Sequence, residues 1–90
     1  MAVAVHISAK NMSKSDYERI IGDLEASGLS QPAGRRFHAA YGDDEVHVFE
    51  VWDSEEQFQA HGEHFFAALQ GAGIDAGTVS LGSLHSELPD

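Results

Sequence analysis

Ninety residues suffice for one small domain and not for two, and a chain this short buries only about 60–65% of its unfolded surface, so its margin over chain entropy is thin. The sequence has no cysteine, which excludes disulfides, thiolate zinc sites and thiol nucleophiles and leaves association with a second copy as the expected stabiliser. Fifteen acidic residues against five basic ones give a formal net charge of −10, a field that repels phosphate backbones and anionic lipid headgroups and so argues against nucleic acid and membrane partners.

From Ala2 to Ala9, Val3, Val5 and Ile7 alternate with Ala4, His6 and Ser8, the period of a strand. Tyr17, Ile20, Ile21 and Leu24 then recur at helical spacing. Ser13 or Ser15 is placed as N-cap with Asp16 or Glu18 three residues on, and the helix is expected to run to about Ser27, closed by Gly28. Gln31 to Gly34 cannot continue it, because proline lacks the amide donor. Arg35–Tyr41 and Val46–Trp52 read as an antiparallel pair joined by the polar turn Gly42–Glu45. Asp53 and Ser54 are N-cap candidates for a second helix, in which Phe58, His61, Gly62, Phe65, Phe66 and Leu69 fall on one face and which ends near Gln70. Thr78–His85 alternates Val79, Leu81, Ser83 and His85 on one face and reads as a fourth strand, with the tail to Asp90 expected to fray.

The order βαββαβ builds an α+β, ferredoxin-like fold: a four-stranded antiparallel sheet with two helices on one face, expected as a single domain over residues 1–90 with its ordered core at about 2–86. Two helices cannot cover both faces of that sheet, so the bare face is expected to bury itself against a copy of itself in a homodimer. Met1 to Ala9 shows no basic n-region, and nowhere do about 18 apolar residues run together, so a cytoplasmic protein is expected. Full protonation of the six histidines would take the formal charge from −10 to −4, and at ordinary pKa values this happens around pH 6–7.

The stretch Val48–Leu69 carries Glu-x-Trp at Glu50 and Trp52, a Ser cap at Ser54, an aromatic at Phe58, then His61 and the pair His64-Phe65. In this order it resembles the antibiotic biosynthesis monooxygenase group of the dimeric α+β barrel superfamily. The resemblance implies a dimer forming an α+β barrel. It also implies a pocket between sheet and helices in which a phenolic substrate is oxidised by dioxygen without a cofactor, with Trp52 as a wall and Phe58 and His61 facing it from the helix. Phe58 departs from the pattern by lacking the phenol that some oxygenase members carry there.

Read from the residues themselves, His61 and His64 are neighbours on one helix turn, but two histidines without a third fixed ligand do not make a metal site, and none is expected. His6, His38 and His85 converge with Glu50 if the strand parity is right, and an imidazole held by a carboxylate is a general base near neutral pH. A one-residue change of register would send each to the opposite face. His47 alternates away from Glu50 and Trp52 and is left out. Tyr17 reads as core with its hydroxyl at the margin. Arg35 and Arg36 read either as a clamp for an acidic ligand or as charges guarding a strand edge. The expected site therefore has His61 and His38 as catalytic groups and Trp52, Phe58, His6, Glu50, His64, Phe65 and His85 around a small aromatic molecule. The expected function is that of a small-molecule pocket protein, an oxidoreductase of the cofactor-independent monooxygenase type acting on an aromatic or polyketide-like substrate, or a proton-transfer enzyme. The alternative is a non-catalytic ligand-binding or stress-response dimer.

Overall fold

A computed structural model describes residues 2–29 and 31–86. The elements are β1 (Val3–Lys10), α1 (Lys14–Ala26), β2 (Arg35–Tyr41), β3 (His47–Trp52), α2 (Glu55–Gly71) and β4 (Asp75–Ser83). The expected fraying toward Asp90 concerns residues 87–90 and lies outside the described residues.

Local chemistry accounts for both helix starts. Ser13 Oγ accepts from the Asp16 amide at 3.1 Å, while the Asp16 carboxylate accepts from the Ser13 amide at 3.3 Å, so two otherwise orphaned donors are satisfied reciprocally. Ser54 Oγ accepts from the Gln57 amide at 3.2 Å and starts α2 one turn after β3. At the other end of α1, Gly28 has φ 76°, a left-handed conformation that costs glycine nothing, and Leu29 N–H returns to the Leu24 carbonyl at 2.8 Å, closing the last turn.

The strands form one antiparallel sheet in the order β2-β3-β1-β4. Val5 stands opposite Glu50 and Leu81, and Ile7 opposite Val48 and Val79. Residues opposed across antiparallel strands point to the same face, and this is the face the helices cover. Val5, Ile7, Val48 and Trp52 share one buried cluster with Ile20 and Leu24 of α1 and Phe58, Phe65 and Leu69 of α2, and each such side chain contributes about 1.5–3 kcal/mol on burial. The other face carries Phe37, Tyr41 and Phe49, which are 49%, 56% and 36% exposed.

Two irregularities redirect side chains. In the β2–β3 ladder Arg35 pairs with Trp52 and Phe37 with Val51, so Arg36 is an extra residue, a bulge. Beyond it the alternation changes sense, and Arg35 and His38, three apart, lie on the same helix-covered face. Arg36 itself points outward and pairs with Asp53 at 2.6 Å. In the β1–β4 ladder the register shifts between Ser8 and Lys10. Gly77 sits there with φ 68°, and a Cβ on it would collide with the Ser8 carbonyl oxygen. This bulge lets Asp75 pair with Lys10, which is why β4 begins three residues before the expected Thr78. It ends at Ser83 rather than His85, after which Leu84 N–H reaches the Ala2 carbonyl at 3.0 Å. β3 starts at His47 rather than Val46, because the Val46 amide bonds to the Met12 carbonyl at 2.8 Å instead of to β2.

Candidate functional site

Glu50 is the centre of the site. Its parity in β3 aims the carboxyl at the helices, and it is only 4% exposed. A buried carboxylate is costly unless its oxygens are bonded, and here they are. Oε1 accepts from the Trp52 indole N–H at 3.0 Å, and Oε2 accepts from His38 Nδ1 at 2.6 Å with Arg35 NH1 at 3.5 Å. Burial pushes the carboxyl's pKa up. The bonds from His38 and Trp52 and the charges of His38 and Arg35 outweigh it, so the net shift is downward and Glu50 is ionised at neutral pH.

The geometry dictates a tautomer. A carboxylate only accepts, so His38 Nδ1 carries a proton, and whenever the ring is neutral its lone pair is at Nε2. Tyr17, on the first turn of α1, places its hydroxyl 2.5 Å from that Nε2 and its ring nearly parallel to the imidazole, 12° between planes at 6.1 Å. Glu50, His38 and Tyr17 thus form a hydrogen-bonded chain running from the sheet to the α1 side of the fold. Burial, and then the Glu50 charge, raise the phenol's pKa above its ordinary value despite Arg35, so Tyr17 stays protonated and donates.

Between sheet and helices lies a cavity of about 80 Å³ with a polar wall of Tyr17, Arg35, His38, Glu50 and His61 and an apolar wall of Ile21, Leu24, Leu29 and Phe65. His61 enters from α2, is 7% exposed, and its Nδ1 is buried with no hydrogen-bond partner. Burial lowers its pKa, with Glu50 opposing and Arg35, His64 and His38 assisting, so the ring is neutral. The cavity is about half the size of one known to hold benzene, ~150 Å³.

Of the residues singled out in the sequence, the structure brings His38, His61, Glu50 and Phe65 to this cavity. Trp52 and Phe58 stand behind its wall. Trp52 is wholly buried, edge-on to Phe58 at 5.9 Å and tilted against His61 at 5.4 Å, and its contribution is to hold Glu50. His6 does not join His38. It lies opposite Phe49 and Ser80, on the uncovered face, stacked on His47 at 5.4 Å, which in turn stacks on Tyr41 at 5.2 Å. His64 is exposed on the outer side of α2, and His85 is exposed beyond the end of β4. Tyr17 and Arg35 were not among the expected site residues. The signal for Tyr17 was its place in the apolar stripe of α1, since a buried phenol needs a partner. For Arg35 the sequence left a ligand clamp and an edge charge open, and only the bulge at Arg36 sets its direction. Among the described residues no three His, Asp or Glu side chains are grouped to hold a metal ion, and no helix is long and apolar enough to cross a membrane.

No family model matches the chain, and no curated protein matches it at significance. Solved structures do. SnoaB, a cofactor-independent oxygenase from Streptomyces nogalater, superposes with a TM-score of 0.62 at 14% identity, over 99% of this chain and 96% of that one. A candidate antibiotic biosynthesis monooxygenase from Deinococcus radiodurans gives 0.63 at 13% identity, over 100% and 98%. Rv0793 from Mycobacterium tuberculosis gives 0.62 at 15%, over 98% and 97%. The fold is that of the antibiotic biosynthesis monooxygenase-like proteins. At these identities the likeness speaks to the fold and not to the reaction.

Proposed function

We propose that this protein is a small-molecule enzyme of the cofactor-independent monooxygenase type that removes a proton from a hydroxyarene or enol, and that residues 1–90 form one ferredoxin-like domain acting as a cytoplasmic homodimer. The observation that carries the reading is the buried chain from Glu50 through His38 to the cavity edge. Glu50 holds the imidazole in one tautomer, leaves the Nε2 lone pair facing the ligand side, and stabilises the imidazolium formed when Nε2 takes a proton. The anion left behind is electron-rich, which is what a direct reaction with dioxygen requires. His61 Nδ1 and Arg35 would contact the ligand's polar atoms, and the Ile21, Leu24, Leu29 and Phe65 wall would hold its ring. The fold, shared over nearly the whole chain with a cofactor-independent oxygenase, accommodates such a reaction, and the hydrogen-bonded chain is what argues for it. The exposed Phe37, Tyr41 and Phe49 support pairing through the uncovered face, where a stable interface buries about 1,200–2,000 Å².

The test is oxygen uptake with dihydroxynaphthalene as probe. His38→Gln, which deletes the basic nitrogen at similar size, is expected to lower kcat by about 10²–10⁴-fold with the melting temperature nearly kept. A variant as active as wild type overturns the reading. The saturated hydrogen bonds of Glu50 and the small cavity also suit a non-catalytic ligand-binding module, and probe binding without oxygen uptake in the wild type would select it.

A further inference from the structure

Tyr17 borders two spaces. On one side is the cavity above His38. On the other is an open groove of about 310 Å³ between the start of α1 and the end of β2, walled by Lys14, Glu18, Ala40, Tyr41 and Asp43. The phenol is half-buried and lines both. The same ring makes the contact that a phenolic substrate would need, its hydroxyl on the His38 Nε2 lone pair and its plane parallel to the imidazole. The cavity alone, at about 80 Å³, is too small for an aromatic ring of benzene size, judged by the ~150 Å³ cavity that holds one.

We infer that Tyr17 occupies the substrate's place: it is an internal phenol that caps His38 and swings into the Lys14–Asp43 groove when a hydroxyarene takes its hydrogen bond. This rests on the proposed general-base role of His38 and names the ligand class, a one- or two-ring hydroxyarene entering from the α1–β2 side. The exchange replaces one O–H···Nε2 bond by another. The cavity gains the volume of the departing ring, and once the groove joins it the combined space reaches the range of small-molecule sites, about 300–1,000 Å³. Since Tyr17 stays protonated, it competes as a donor for the same lone pair. Tyr17 is therefore a positioning and specificity residue.

The experiment titrates phenol and naphthol into wild type, Tyr17→Phe and Tyr17→Ala, following the fluorescence of Trp52, the chain's single tryptophan, whose indole is bonded to Glu50. Tyr17→Phe keeps the ring and removes the competing hydroxyl, so phenol is expected to bind about three- to tenfold more tightly, the factor corresponding to one displaced hydrogen bond. Tyr17→Ala opens the groove permanently, so its gain in affinity for naphthol is expected to exceed its gain for phenol. Should the alanine chain fail to fold, Tyr17→Leu supplies the same comparison. A merely structural tyrosine, or one that contacts the ligand directly, would show weaker or unchanged phenol binding in Tyr17→Phe, and either result overturns the inference. If wild type consumes oxygen with the probe and only the Tyr17→Phe tightening is absent, the general-base reading survives alone. If no variant binds either phenol, both fall.

Discussion

Replacing Glu50 by glutamine tests the centre of the site at constant size. The amide oxygen can still accept from Trp52, but the amide nitrogen then faces His38 Nδ1, where both groups would donate. The imidazole is forced into the other tautomer, with its lone pair turned from Nε2 to Nδ1. Tyr17 must then accept rather than donate. The 2.6 Å charge-assisted bond is lost, a contribution of about 1.5–3 kcal/mol, and Arg35, with its side chain 18% exposed, loses a counter-charge. Glutamine escapes the desolvation cost of a carboxylate, so the net destabilisation at pH 7 is expected at about 2–3 kcal/mol, or roughly 8–24 °C in melting temperature for a chain of this length. The sign with pH follows from the lowered pKa of Glu50. Below the ordinary value of 4.5 the unfolded chain takes up a proton that the folded one resists, so this part of the wild-type stability is complete above 4.5 and is lost as pH falls further. Glutamine does not titrate, and the other carboxylates cancel in the comparison. Urea unfolding of both proteins, followed by Trp52 fluorescence, should show a gap at pH 7 that narrows below pH 4.5. A gap under about 0.5 kcal/mol at pH 7, within the usual range of surface substitutions, or one that does not narrow in acid, would refute the reasoning.

His61→Leu removes a buried nitrogen without a partner, so it is expected to raise stability by about 1 kcal/mol while weakening phenol binding; calorimetry and the same titration check both. In wild type the lowered pKa of His61 means the unfolded chain binds the extra proton first. Its contribution is therefore full above the ordinary 6.5 and declines as pH drops below it, a slope that His61→Leu should lessen. Phe49→Asp puts a charge in the middle of the uncovered face and is expected to convert a dimer to a 9.7 kDa monomer in sedimentation equilibrium. A wild type that already sediments as a monomer removes the dimer from the proposal. Gly77→Ala forces a Cβ against the Ser8 carbonyl at positive φ and should cost more than about 1–3 kcal/mol, since strain and collision add. Amide exchange should locate the loss at the start of β4.

The local chemistry of this chain is written in short stretches of sequence. Ser13 with Asp16 and Ser54 with Gln57 start the helices, the spacing of Tyr17, Ile20, Ile21 and Leu24 orients α1, and the alternation of β1 separates Val5 and Ile7 from His6. Glu50 and Trp52 share a parity that any strand would impose. The site itself needed the tertiary structure. In β2 hydrophobicity points the wrong way: Phe37, Ala39 and Tyr41 are the more apolar set, yet the register against β3 turns them outward and His38 inward, because the uncovered face is itself apolar. The bulge at Arg36 then reverses parity within one strand and brings Arg35 beside His38, a change that one unpaired residue makes and no local pattern announces. Tyr17 and His38 are 21 residues apart. Their contact depends on where α1 lands on the sheet, which is set by packing of the whole core and not by any segment alone.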